Sequence, residues 1–219
     1  DILVNNAGIL RDRMVFNMTQ EEWDSVIKVH LYGHFYCTKF ACLAMRPQRY
    51  GRIINTSSQA GLGNMGQANY SAAKEGIVGL TRTVARDMGR YGITCNAIRP
   101  RAATRLTITP ELEAAWKRAQ AQGLPTLGDY DELRAMMPEH VAQLVVYLAT
   151  DAASNINGQV FLIGGNMIAT YADPAPAKYL FKEAGGSWTA EELVETMPKT
   201  LAKDIANPSP PSALEGVKK

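Results

Sequence analysis

No stretch of this sequence approaches the roughly 18 consecutive apolar residues that a membrane-spanning helix needs, and no basic-then-apolar signal segment opens it. A soluble, cytoplasmic protein is the expectation. Cysteine is scarce: Cys37, Cys42 and Cys95 are odd in number and lack ligand-type spacing, so neither a disulfide framework nor a metal site is indicated. Three reduced thiols packed as small hydrophobes are expected instead. An excess of one charge is missing too. Twenty-three basic residues against 21 acidic leave +2, and no Lys/Arg cluster exceeds a pair. Composition therefore gives no electrostatic footprint for nucleic acid or an anionic membrane, and points to a small molecule or another protein as partner.

What is present is ordinary for a globular protein: 219 residues, 46% hydrophobic and 20% charged. That composition excludes disorder throughout and fits one compact domain with an appendage. The chain begins Asp1-Ile2-Leu3-Val4-Asn5-Asn6-Ala7-Gly8, a buried strand running into a turn. Such a strand belongs inside a parallel sheet, flanked by strands the sequence has not yet supplied, so the sequence reads as N-terminally incomplete. The other reading is an edge strand at a processed terminus.

Thr19 and Glu22 form a capping box that predicts a helix to about Met45, with Pro47 ending it. Its apolar positions Trp23, Val26, Ile27, Leu31, Phe35, Phe40 and Leu43 suit a helix covered on two sides. A strand is expected over Arg52–Ser58, a second long helix from Asn69 past Met88, and a strand over Ile93–Ile98 stopped by Pro100. Residues 101–137 are irregular, with one helical piece over Glu111–Gln122, a pattern typical of a lid or binding loop. Pro138 starts a helix to Thr150, and Gly158–Gly165 makes a last strand. Beyond Tyr171 the chain reads as appended: Thr189 and Glu192 cap a helix to about Lys203, and Asn207–Ser212 is a Pro-rich tail. Strand alternating with helix is the order of a doubly wound, Rossmann-like α/β sheet.

Tyr70 and Lys74 are four apart on one helix face, the ammonium within reach of the phenol's field. A free tyrosine titrates at about 10, and a neighbouring cation favours the phenolate, so the pair is a candidate tuned acid/base. Ser58, at the carboxyl end of a strand, would face the same crevice. Singly, each has a plain alternative: a chance spacing on a helix, a serine in a turn.

Together, Asn5-Asn6-Ala7-Gly8, Ser57-Ser58, Tyr70-Ser71-Ala72-Ala73-Lys74 and Cys95-Asn96-Ala97-Ile98-Arg99-Pro100 resemble the short-chain dehydrogenase/reductase family over roughly residues 1–168. The neighbouring Gly51-Arg52-Ile53-Ile54, Gly66–Tyr70 and Val29-His30-Leu31-Tyr32-Gly33 are similar to two groups within it. These are the 3-hydroxyacyl-CoA dehydrogenase unit of type 2 multifunctional enzymes and the 3-oxoacyl-acyl-carrier-protein reductases. The resemblance implies that residues 1–170 are the C-terminal part of a dinucleotide-binding domain and that NAD or NADP is the cofactor. It implies that Tyr70 exchanges a proton with the substrate oxygen, that Ser58 hydrogen-bonds that oxygen, and that Lys74 holds the nicotinamide ribose and lowers the Tyr70 pKa. Asn6, Ala7 and Gly8 would line the cofactor, and Pro100 and Ala103 would flank the carboxamide side. His30 stands where the family commonly has Asn, and would anchor the water of a proton relay or simply pack in the core.

The sequence departs from the family in places. The loop from Ser58 to Tyr70 is one residue short, leaving Ser57 an alternative to Ser58. Arg101 follows Pro100 where Gly is usual, and Arg101 and Arg105 would meet an anionic substrate or cofactor phosphate, or be solvated. About 80 residues, carrying the glycine-rich pyrophosphate loop, would precede Asp1. The expected activity is hydride transfer between NAD(P) and a 3-hydroxyacyl or 3-oxoacyl thioester, with steroid or simple alcohol substrates open. The alternative is a non-catalytic fragment or binding subunit paired with a complete homologue. A homodimer or homotetramer is expected either from the resemblance or from the two-sided apolar face of the first long helix.

Overall fold

A computed structural model describes residues 1–110, 113–114, 117, 121, 130–182 and 185–208. The chain divides into two compact units, Asp1–Tyr171 and Ala172–Lys219. The first is built on a five-stranded sheet in the order β1 (Ile2–Asn5), β2 (Gly51–Thr56), β3 (Ile93–Pro100), β4 (Val160–Gly164), β5 (Met167–Thr170). The first four strands run parallel, as the doubly wound reading requires, and β5 returns antiparallel. β5 is not anticipated from sequence, which makes Gly158–Gly165 the last strand. Gly165, at φ 57°, makes the tight turn between the last two strands.

β2 and β3 are buried along nearly their whole lengths, as strands covered on both faces must be. Alternate residues divide between two cores. Ile53, Ile93 and Cys95 pack with Met45, Val84, Ala85 and Met88 on one face. Ile54, Ile98, Phe161 and Ile163 pack with Leu144 and Leu148 on the other. The first face is covered by α2 (Gly33–Gln48) and α3 (Ala68–Gly89), the second by α5 (Pro138–Leu148). A short α4 (Tyr130–Ala135) precedes α5. Most of the helix expected over 111–122, and residues 122–129 of the lid that contains it, lie outside the described residues.

The first long helix differs from expectation in two ways. It begins at the Thr19–Glu22 capping box as α1 (Gln20–Ile27), but then passes through a widened π turn, Lys28–Tyr32, before α2. Pro47 does not end it; the helix runs to Gln48 and Arg49 closes it in the left-handed region at φ 56°. A proline ring clashes with the carbonyl four residues back, a cost the last turn absorbs because few later hydrogen bonds depend on it. The inward stripe is Val26, His30, His34, Thr38 and Met45, while Phe35, Phe40 and Leu43 are exposed. Polar side chains thus occupy much of the face turned to the sheet.

In the second unit Thr189 and Glu192 do form a capping box, for α6 (Ala190–Thr196). A single 3-10 turn follows to Lys199, so the helix is shorter than the span to Lys203. Of the thiols, Cys95 is buried and Cys42 half-buried, but Cys37 is exposed rather than packed. Among the described residues no helix is long and apolar enough to cross a membrane.

Candidate active site

The carboxyl ends of β1, β2 and β3 converge with the first turns of α3. Lys74, only 3% exposed, donates from Nζ to the Thr56 carbonyl at the end of β2, 2.6 Å away. Burial pushes its pKa down to about 8. The ammonium stands 5.4 Å from the centroid of the Tyr70 ring. The Tyr70 phenol nevertheless sits above its ordinary pKa. Burial is the main cause and the Asp12 charge adds to it, while a hydrogen bond from the Ser58 side chain pulls the other way. The sequence predicts a phenol made more acidic by Lys74; in the structure burial raises it instead.

The two serines separate cleanly. Ser57, 1% exposed, donates from Oγ to the Lys74 carbonyl at 2.7 Å and so ties β2 to α3. Ser58 is half-buried, its Oγ accepts from the Ala60 amide at 3.2 Å, and its own proton is free for the phenol or a ligand. Ser58 thus stands beside the Tyr70 phenol, and Ser57 joins the end of β2 to α3.

His30 lies in the π turn, 1% exposed, edge-on to Tyr70 with ring centroids 5.2 Å apart. Its Nε2 faces the Ile9 amide at 3.1 Å and the Ile9 carbonyl at 2.8 Å, accepting from one or donating to the other according to tautomer. Burial, then the Lys74 charge, lower its pKa to about 4, so the ring is neutral at pH 7. One turn on, His34 is 2% exposed, and its Nδ1 stands 2.6 Å from the His30 carbonyl.

Tyr70 is aimed by its neighbour. Asn69 is fully buried; its Nδ2 donates to the Arg11 and Glu22 carbonyls, both at 3.0 Å, and its Oδ1 accepts from the Tyr70 amide at 2.7 Å. Gln67 adds a bond to Asp12 at 2.8 Å, and the Arg13 amide donates to the Gly66 carbonyl at 2.7 Å. The loop after β1 and the start of α3 are thereby stitched into one rim.

A family profile described as enoyl-(acyl carrier protein) reductase matches residues 1–166. The chain belongs to the short-chain dehydrogenase/reductase family. It is 45% identical over 211 residues to hydroxyacyl-CoA dehydrogenase ChsB1 of Mycobacterium tuberculosis, covering 90% of this chain and 61% of that protein. It is 44% identical over 170 residues to the 3-oxoacyl-acyl-carrier-protein reductase of Synechocystis sp., covering 77% and 65%. The crystal structure of a short chain dehydrogenase from Mycobacterium avium matches it with a TM-score of 0.76 at 42% identity, over 96% of this chain and 67% of that one. The chain thus spans less than two thirds of the length of either curated relative.

Within this short-chain dehydrogenase/reductase, Ser58, Lys74 and His30 all stand beside Tyr70. Asn6 and Ala7 are exposed just past β1, where Asn6 Oδ1 accepts from Thr56 Oγ1 at 3.1 Å. Gly8 faces His30: a β-carbon there would come 2.6 Å from His30 Cε1. Pro100 is half-buried at the end of β3, and the Ala103 amide donates to the Met136 carbonyl at 2.6 Å. Arg105 is exposed and Arg101 half-buried beside Gly164. His34 and Asn69 were missed from sequence. The four-residue recurrence Val26, His30, His34, Thr38, which places His34 on the inner stripe, is the sequence signal for it.

Proposed function

We propose that this chain carries the proton-transfer half of an NAD(P)-dependent oxidoreductase acting on 3-hydroxyacyl or 3-oxoacyl thioesters. The observation that carries the reading is the Tyr70 phenol held between the Ser58 hydroxyl and the buried Lys74 ammonium, at the carboxyl ends of parallel strands where ligands of such sheets bind. Tyr70 would give its proton to the substrate oxygen during reduction and take it back during oxidation. A phenol above its ordinary pKa is kept protonated and ready to donate. Ser58 would donate to the same oxygen as charge develops on it.

The residues present fit the nicotinamide half of the cofactor. Lys74 is buried with ammonium donors beyond the one used on Thr56, suited to ribose hydroxyls, and Asn6, Ala7, Pro100 and Ala103 lie at or just past the carboxyl ends of β1 and β3. Bound there, the nicotinamide would supply or accept the hydride. His30, neutral and fixed on Ile9, would hold the back of the phenol ring. Preference between NAD and NADP is left to residues not among these.

The thioester substrate is favoured over steroids or simple alcohols by the hydroxyacyl-CoA and oxoacyl names of the relatives. A cytoplasmic setting fits the unpaired thiols. Pairing of two copies through the exposed Tyr32, Phe35, Tyr36, Phe40 and Leu43 fits a homodimer or homotetramer, which light scattering would test. For the activity itself, the whole protein should oxidise NADH or NADPH when given acetoacetyl-CoA. Absence of turnover with both cofactors would count for the non-catalytic alternative.

A further inference from the structure

Arg99 is a cation taken almost wholly out of water. It is 2% exposed near the end of β3, and its Nη2 donates to Glu75 Oε2 on α3 at 2.7 Å. Its guanidinium carbon lies 4.5 Å from the centroid of the Tyr171 ring. Among the described residues its Nε and Nη1 have no hydrogen-bond partner. A guanidinium so desolvated depends on its one carboxylate, because a buried charge without its counter-charge is strongly unfavourable. The dependence also works in the other direction. The Glu75 side chain is 45% exposed, and alone it would exchange among rotamers in solvent; the buried guanidinium selects one of them.

The selected rotamer meets the turn that follows Ser58. A β-carbon on Gly61 would come 2.7 Å from Glu75 Oε2, the same oxygen that accepts from Arg99, and 3.2 Å from the Glu75 amide nitrogen. Gly61 does not adopt a positive φ, so it is space against α3 that denies it a side chain. It belongs to a 3-10 turn, Gln59–Leu62, for which Ser58 is the cap. The Ala60 amide donates to Ser58 Oγ at 3.2 Å and the Gly61 amide to the Ser58 carbonyl at 3.1 Å. The near end of this segment is fastened by the Ser57 bond to the Lys74 carbonyl, and the next residue of α3, Glu75, seats its far end. β3, α3 and the turn after β2 therefore meet at one carboxylate oxygen.

We propose that Arg99, acting through Glu75, is a positioning residue for Ser58: the ion pair seats the Gln59–Leu62 turn against α3 and so sets the direction of the Ser58 hydroxyl. Without Arg99 the glutamate turns out to solvent, and the turn loses the surface on which Gly61 rests. The consequence for catalysis rests on the reading under Proposed function; the seating of the turn does not.

Substitutions in the whole protein separate this role from a merely structural one. Arg99→Met leaves no buried charge behind, and it should lower kcat roughly tenfold. The KM for the cofactor should stay unchanged, because Lys74 keeps its own bond to Thr56. In a Ser58→Ala background the same substitution should have no further effect on kcat, since its effect runs through that hydroxyl. Arg99→Lys, which can still donate to Glu75, should recover most of the loss. Gly61→Ala presses on the same carboxylate oxygen from the side of the turn and should reproduce the fall in kcat, so it decides the matter even where Arg99→Met does not fold. Amide exchange at Ala60 and Gly61 should speed up severalfold in Arg99→Met. An unchanged kcat in Arg99→Met or Gly61→Ala, or a loss that adds in full to that of Ser58→Ala, overturns the proposal. So does unaltered exchange at Ala60 and Gly61. Should the unmodified protein turn over no thioester, the functional reading fails while the exchange result still decides this one.

Discussion

The His30 ring occupies the space that any side chain on residue 8 would need, with Cε1 2.6 Å from an ideal Gly8 β-carbon. Gly8 does not adopt a positive φ, so its requirement is steric. The sequence reading gave that glycine to the cofactor; the structure gives it first to the imidazole behind Tyr70. Gly8→Ala should destabilise the protein by about 1–3 kcal/mol, the range for overpacking. His30→Ala in the same background should remove much of the clash, so the double variant loses less than the sum of the two. Denaturant midpoints of the four proteins give the coupling, and strict additivity would mean the ring is not what Gly8 accommodates.

Acid should weaken the fold through the two imidazoles. Both His30 and His34 fall from 6.5 to about 4, burial being the first cause. Between those values the unfolded chain binds protons that the folded one refuses. Their contribution is complete above pH 6.5 and is lost as pH falls through 4, by about 3 kcal/mol each at most. Chemical denaturation from pH 7 to 4 should show this slope, and His34→Gln should flatten it. An unchanged slope in that variant would mean His34 does not titrate as described.

Ser57 and Ser58 should fail differently. Ser57→Ala removes a buried bond to the Lys74 carbonyl and should cost about 1 kcal/mol of stability. Ser58→Ala should leave stability nearly unchanged and lower kcat on the order of 100-fold. Thermal unfolding and steady-state rates on both variants separate the two roles, and the reverse pattern would assign the crevice to Ser57.

Asn69 spends three hydrogen bonds on holding the Tyr70 turn to the Arg11 loop and to α1. Asn69→Leu leaves two part-buried carbonyls and an amide without that partner. It should cost about 2–4 kcal/mol and lower the rate through misplacement of the phenol. Amide exchange in the first turn of α3 should speed up in the variant; protection equal to the unmodified protein would show that other contacts aim Tyr70.

Features set by local sequence were legible: both capping boxes, Thr19 with Glu22 and Thr189 with Glu192, and the buried runs of β2 and β3. The meeting of Ser58, Tyr70 and Lys74 was legible too, because strand end and helix face follow from period and spacing. What failed depends on the third dimension. No pattern around Pro47 tells how much clash a last turn absorbs, and Gly165-Asn166 reads equally as the end of a last parallel strand or as the turn into an antiparallel one. Burial, which decides the direction of the Tyr70 shift and the neutrality of His30 and His34, comes from helices and strands distant in the chain. The partners of Asn69, at residues 11 and 22, are similarly remote.

The central claim is that Tyr70 transfers the proton while a hydride moves at an acyl thioester. It is tested most directly by giving the whole protein acetoacetyl-CoA and NADH or NADPH deuterated at nicotinamide C4, in separate single-turnover experiments for each face. The account predicts deuterium at C3 of the 3-hydroxyacyl product from one of them, and a loss of at least about 100-fold in that rate for Tyr70→Phe. Deuterium transfer at an undiminished rate in Tyr70→Phe, or none at all in the unmodified protein, would contradict it.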